Sequence, residues 1–196
     1  MLAAETMTSA QATFAAIAAA GVRERQLLAA RRGEGLTMGE ADKLAALSAA
    51  VRGLEQMGVD HALIGGVAVG IHSGVPRATL DVDLAVQSSA DRAAVVAALT
   101  RAGFTAMGSH PHSLNFRHSS GEPVQLALDA SFDAMIARAE SIEIGTGRVR
   151  IVRKDDLIEM KRRAAADPAR RRSKALRDEA DVALLLGDVP DPDEGW

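Results

Sequence analysis

The chain has 196 residues and a mass of 20.5 kDa, room for one domain or for one compact domain with a helical extension. Apolar residues make up 47% and charged residues 25%, globular values that exclude disorder or coiled coil throughout. Cysteine is absent, which excludes disulfides, thiol catalysis and thiolate metal sites, while 3% aromatics and a net charge of −3 speak against a base-stacking platform and against a polyanion binder as a whole.

In chain order, residues 8–30 read as an alanine-rich helix that Thr8 or Ser9 could cap. Its apolar run, Phe14 to Val22, is far shorter than the ~20 residues of a membrane span, and no basic residues precede it. The expected location is therefore the cytoplasm, without a membrane partner. Glycines break the helix, and Thr37 with Glu40 resembles a capping box opening a second helix that runs to about Met57 and stops at Gly58. HALIGG reads as a buried strand running into a turn, VAVGIHSG as a short helix, and ATLDVDLAVQ as an alternating strand. A helix over ADRAAVVAALTRAG and a strand over 104–107 follow. Next come a hairpin turning at Ser119 to Gly121, a helix over 132–139 and a strand over 148–152. Two helices close the chain, one from Asp155 to Ala166 and one from Ala169 to Leu186, before a polar tail. This order predicts a mixed sheet with helices on one face, in the α+β class. The expected organisation is a helical extension over 1–57, a core over 58–153, C-terminal helices over 154–187 and a tail over 188–196.

Chemistry concentrates between Ile64 and Leu84. On one strand, Asp81 and Asp83 share a face, because side chains alternate with period two. Two like charges so close are tolerable under a divalent cation or solvent. Leu80, Val82, Leu84 and Val86 form the opposite, apolar face. Gly65 and Gly66 precede a helix, where backbone N–H groups can cradle a phosphate, and Arg77 adds a cation nearby. A glycine pair is a plain turn in most proteins, and a lone carboxylate pair can be the wet face of an edge strand. Together they describe a metal-assisted phosphoryl or nucleotidyl transfer site.

The string carrying Gly65, Gly66, Ala68, Gly74, Arg77, Thr79, Asp81 and Asp83 resembles the nucleotidyltransferase superfamily with the DNA polymerase beta-like fold. The branch it looks most like is the small bacterial one of minimal nucleotidyltransferases and AbiEii-type proteins, several of which work in toxin–antitoxin systems. Downstream, KDDLIEMKRRAA aligns Lys161 with a family lysine, and LRDEADVALL aligns Arg177, Asp178 and Asp181 with an RD-x-x-D helix. The resemblance covers roughly residues 59–187. It implies a polymerase beta-like core that binds an NTP with Mg2+ or Mn2+ and transfers NMP to RNA, protein or a small molecule. It also implies roles: Gly65 and Gly66 at the phosphates, Asp81 and Asp83 on the metal, Lys161 at the triphosphate, and Arg77, Thr79 and Asp178 supporting the site. A cognate toxin or antitoxin is an implied partner.

One departure stands out. The superfamily carries a third carboxylate seven residues before an aromatic, and counting back from Phe132 lands on Gln125. Asp129 faces the same side, but at about 3.3 Å per residue it lies roughly 13 Å along the strand. The sequence thus leaves two classes open, a transferase and a catalytically silent nucleotidyltransferase-like binding or antitoxin module. The alanine-rich N-terminal helices hint at a third, an oligomerising scaffold.

Two other clusters invite function. His110, His112 and His118 suggest a zinc site, yet the ligand count is incomplete and a polar surface loop is the preferred reading. His72 is expected to line the pocket. Between Lys161 and Arg177 there are eight Lys or Arg and one acid, Asp167, or +7 over 17 residues. Lys161 fits a triphosphate, Arg170, Arg171 and Arg172 fit a longer polyanion such as RNA or tRNA, and a solvated helix junction explains the cluster equally well.

Overall fold

The structure is a computed structural model that describes residues 7–33, 42–145 and 147–189. The capping box at Thr37 and Glu40 and most of the polar tail lie outside the described residues. Helix α1 spans Ser9–Arg31 and is capped by Thr8, whose hydroxyl accepts from the Gln11 amide while the Gln11 side chain accepts from the Thr8 N–H. Helix α2, Lys43–Glu55, starts at Asp42, whose carboxylate accepts from the Ala45 N–H at 2.9 Å. A turn through Gly58, at φ +65°, ends it. Then follow β1 (His61–Ile64), α3 (Gly65–Ser73), β2 (Val82–Val86), α4 (Arg92–Arg101), β3 (Phe104–His110), β4 (Ser113–His118) and β5 (Pro123–Ala127). A 3-10 turn over Ala130–Phe132 leads to α5 (Asp133–Ala137), β6 (Glu140–Ile144), β7 (Gly147–Ile151), α6 (Lys154–Ala166) and α7 (Arg172–Leu186).

The seven strands form one mixed sheet in the order β3-β4-β5-β2-β1-β7-β6. Strand β2 is antiparallel to β1 and parallel to β5, and β1 is parallel to β7. Strand β1 is buried at every residue, and β2 at all but Asp83. A strand buried on both faces needs cover on both. The helices accordingly pack as two groups, α3 with α1, α6 and α7, and α2 with α4, instead of the single layer expected. Strand β6 is absent from the sequence reading. Its ESIEI alternates charged with apolar residues, but only Ile144 is fully buried, so the apolar signal is one residue deep. Strand β2 also begins later than expected: Asp81 precedes it, in a bend.

One apolar cluster runs through all these elements. Phe14 and Ile17 of α1 belong to it together with Leu63, Leu84, Leu126, Ile151 and Leu157. Helix α1 reaches α3 at Gly70, where a methyl group would collide with Ile17 Cδ1. No helix among the described residues is long and apolar enough to cross a membrane. Because Ile17 is fully buried, Ile17→Ala should cost ~2–5 kcal/mol, the range for truncating a core aliphatic side chain. Urea denaturation followed by circular dichroism checks this. A loss of a few tenths of a kcal/mol would mean that α1 does not share the core.

Candidate active site

Three local features build the site. The first is the β1–α3 junction. Gly65 has φ +69°, a conformation that only glycine takes without strain, and a side chain there would overlap the Asp83 carboxylate. Gly66 is needed for the same reason: a Cβ would collide with Arg77 and lie 2.8 Å from Thr79 Oγ1. The glycine pair therefore lets the β2 carboxylate and the preceding loop close onto the start of α3. That helix has no side-chain cap, which leaves its first N–H groups without a side-chain acceptor.

The second feature is the run from Arg77 to Asp83. The Thr79 hydroxyl donates to Asp81 Oδ1 at 3.0 Å, which aims that carboxylate. Asp83 is held rigidly by β2, where its register partner on β5 is Gln125. The residue singled out for its missing charge thus stands directly beside the carboxylate it would have accompanied. Burial and, second, the neighbouring Asp81 charge push the Asp83 carboxyl up to about 7, against the pull of Lys161, Lys43 and Arg77.

The third feature is the α6–α7 hairpin. Asp178 and Asp181, three apart, share the buried face of α7, with relative exposures of 2% and 1%. Lys161 of α6 bridges both at 2.8 Å, Arg77 Nε reaches Asp181 at 2.6 Å, and Arg170 Nε reaches Asp178 at 2.5 Å. Arg77 thereby ties the loop before β2 to the C-terminal helices.

These parts enclose a cavity of about 500 Å³. Gly65, Gly66, Arg77, Thr79, Asp81, Asp83, Lys161 and Asp178 all line it, as the sequence reading grouped them, and so do Gln125 and Arg170, the latter read from sequence as a contact for a longer polyanion. Three further charged lining residues escaped that reading as site members: Glu24 from α1, and Lys174 and Arg177 from α7. Arg177 and Lys174 lay in the basic segment, whose charge was the available signal; Glu24 offered none. Lys174 and Arg177 are exposed and, among the described residues, their side chains make no ion pair or hydrogen bond. Arg171 and Arg172 are exposed and do not line the cavity.

Other candidates fall elsewhere. Asp129, the fallback carboxylate, caps the 3-10 turn through the Ser131 N–H and pairs with His112 at 2.8 Å. His118 stacks at 4.8 Å on Phe104, and His110 ends β3, so the histidines form no cluster. His72 does not line the cavity; its Nε2 lies 2.7 Å from the Val152 carbonyl oxygen and ties α3 to the end of β7.

As a cation site, the residues fit one divalent ion. Asp81 and Asp83 face one cavity, and desolvation first, then the Asp81 charge, raise the Asp83 carboxyl, costs of ionisation that a bound cation would offset. Gln125 can add an amide oxygen but no charge. Among the described residues, no group of three acidic or histidine side chains could hold a metal on its own; a bound ion would take its other ligands from phosphate or water.

No family model matches this sequence, and no curated protein matches it. Solved structures do. The antibiotic-resistance factor ANT(2'')-Ia aligns at 18% identity and TM-score 0.53, over 74% of this chain and 84% of that one. The same factor in complex with adenylyl-2''-tobramycin aligns at 18% and 0.50, over 74% and 90%. The lincomycin-bound lincosamide antibiotic adenylyltransferase LnuA aligns at 14% and 0.52, over 74% and 96%. At such identities the likeness is one of architecture, and it agrees with the glycine–carboxylate motif of β1 to β2: this chain has the nucleotidyltransferase fold.

Proposed function

We propose that the protein binds a nucleoside triphosphate with a divalent cation, Mg2+ or Mn2+, and transfers its NMP to an acceptor hydroxyl. The observation that carries this reading is that one cavity holds both charges, with Asp81 and Asp83 at and just before β2 and Lys174 and Arg177 on α7. A triphosphate is the ligand that needs both. Its oxygens suit the unpaired cations of α7, and the bound cation would supply charge neutralisation at the phosphates. Lys161, Arg77 and Arg170 are already paired with Asp178 and Asp181. Their role is to fix the α6–α7 wall, and Lys161 presents its ammonium to the cavity from there. The acceptor oxygen would bond to the α-phosphorus as the bond from that phosphorus to the bridging oxygen breaks, its hydroxyl proton passing to solvent and pyrophosphate leaving past Lys174 and Arg177.

The acceptor is read as a small polyhydroxylated molecule, in line with the antibiotic adenylyltransferases of the same architecture. RNA or tRNA is the competing acceptor, because Arg171 and Arg172 are exposed outside the cavity, where a long polyanion would meet them. A toxin–antitoxin setting, with a cognate toxin or antitoxin as partner, belongs to the same proposal. Gln125 favours one other reading, a nucleotide-binding module without transfer, since the cation would lack its third carboxylate.

Transfer of labelled NMP from Mg–NTP to RNA and to a panel of hydroxylated small molecules separates these readings. The wild type should transfer, Asp83→Asn should lose at least ~100-fold, and Gln125→Asp should gain severalfold by restoring charge beside the ion. Tight Mg–NTP binding without transfer, converted to transfer by Gln125→Asp, would establish the silent module instead. No binding of Mg–NTP at all would remove the reading.

The part-buried Asp83 carboxylate gives a second test, independent of turnover. Its pKa in the fold, about 7, lies above its ordinary 3.8, so the folded state holds the proton more tightly. Stability should therefore fall as pH rises from about 4 to about 7, by up to ~1.4 kcal/mol per pH unit from this group. Asp83→Asn should remove that contribution, and saturating Mg2+ should flatten it in the wild type, because the ion replaces the proton. Denaturation midpoints across this range check it; equal slopes in wild type and variant would contradict the burial of this charge.

A further inference from the structure

Behind the cavity lies a second cluster of charges that the proposed reaction does not use. Glu122, just before β5, is fully buried, and Lys43, the first residue of α2, is 1% exposed. Lys43 Nζ forms an ion pair with Glu122 Oε1. Arg25 of α1 meets Glu122 Oε2 at 3.1 Å. Each cation also has a second job. Lys43 Nζ donates to the carbonyl of Asp81 at 3.2 Å, and Arg25 Nη1 donates to the carbonyl of Leu80 at 3.3 Å. One turn before Arg25, Gly21 packs so closely that a methyl group would lie 2.9 Å from the Thr79 carbonyl oxygen.

A buried ion pair is a poor way to gain stability, because desolvation offsets the attraction and apolar residues of similar volume often do as well. What an apolar trio could not do is donate hydrogen bonds to two consecutive carbonyls. The backbone at 80 and 81 is a bend ahead of β2, with no ladder partner among the strand registers. Its carbonyls are part-buried and need donors from elsewhere. Lys43 and Arg25 supply them, and Glu122 holds both donors in place. We infer that Lys43, Arg25 and Glu122 are positioning residues, which fix the Leu80–Asp81 peptides and thereby the cation affinity of the Asp81–Asp83 pair. Helices α1 and α2 then belong to the active site although neither contributes to the glycine–carboxylate motif. The inference rests on the proposed role of Asp81 and Asp83 as cation ligands.

The test is direct titration of Mn2+ into the full chain, followed by electron paramagnetic resonance of the free ion, beside thermal unfolding of each variant. Lys43→Met/Glu122→Met removes both buried charges at once and avoids stranding either. It should unfold within a few degrees of wild type yet bind Mn2+ at least ~10-fold more weakly, the usual cost of losing a group that orients a metal ligand. Arg25→Leu leaves the Lys43–Glu122 pair intact and removes only the donor to Leu80, so it keeps the test alive should the double variant not fold. Its Mn2+ affinity should fall severalfold. Ile17→Ala serves as the stability control: it lowers the unfolding midpoint and should leave Mn2+ affinity unchanged below that midpoint. Wild-type affinity in either folded charge variant overturns the positioning role while leaving the cation site standing. Failure of the wild type to bind Mn2+, with or without NTP, overturns the cation site and this inference with it.

Discussion

Asp81 and Asp83 repel each other, and the rest of the site is arranged around holding them together. Asp83 cannot retreat, because β2 is hydrogen-bonded on both sides and its neighbours on the strand are buried. Asp81 is oriented by Thr79. Gly65 and Gly66 lack side chains where the Asp83 carboxylate and the Arg77–Thr79 stretch press in. The raised Asp83 carboxyl expresses the remaining tension. A site built this way suits a cation, since binding one sets an attraction against the desolvation and repulsion that the two carboxylates carry.

Charge balance extends outward in two directions. On the α6–α7 side, Asp178 and Asp181 absorb Lys161, Arg77 and Arg170. Three cations of the +7 segment, Lys161, Arg170 and Arg163, therefore answer acids that lie just past it or on its own hairpin. Lys174 and Arg177 line the cavity with side chains that pair with nothing among the described residues. On the α1–α2 side, Glu122 gathers Lys43 and Arg25 against the backbone of the Asp81 loop. Both lattices converge on the same seven residues between Arg77 and Asp83, so this segment carries most of the specificity of the fold.

Legibility in the sequence followed the range of each interaction. The glycine pair and the carboxylates were legible because their spacing is local and their residue types are few; Lys161 and Asp178 were reached through the resemblance of their two helices to those of a known family. The position of Gln125 was legible by counting from Phe132, and the β2–β5 register places it opposite Asp83. Glu122, Lys43 and Arg25 were not, because they meet across 79 residues in one case and no periodicity marks a buried ion pair. Strand β6 escaped for want of a buried face, and the second helical layer escaped because β1 is only four residues long, too short for its burial on both sides to stand out. His72 looked like a pocket residue from its place on α3; its contact with Val152, 80 residues away, was invisible in the same sense.

The most direct measurement of the central claim is anomalous diffraction from crystals grown with Mn2+ and a non-hydrolysable NTP. The account predicts a Mn2+ peak within bonding distance of carboxylate oxygens from both Asp81 and Asp83, with the triphosphate lying against Lys174 and Arg177. Nucleotide bound elsewhere, or a peak that leaves Asp81 and Asp83 without an ion between them, would contradict it.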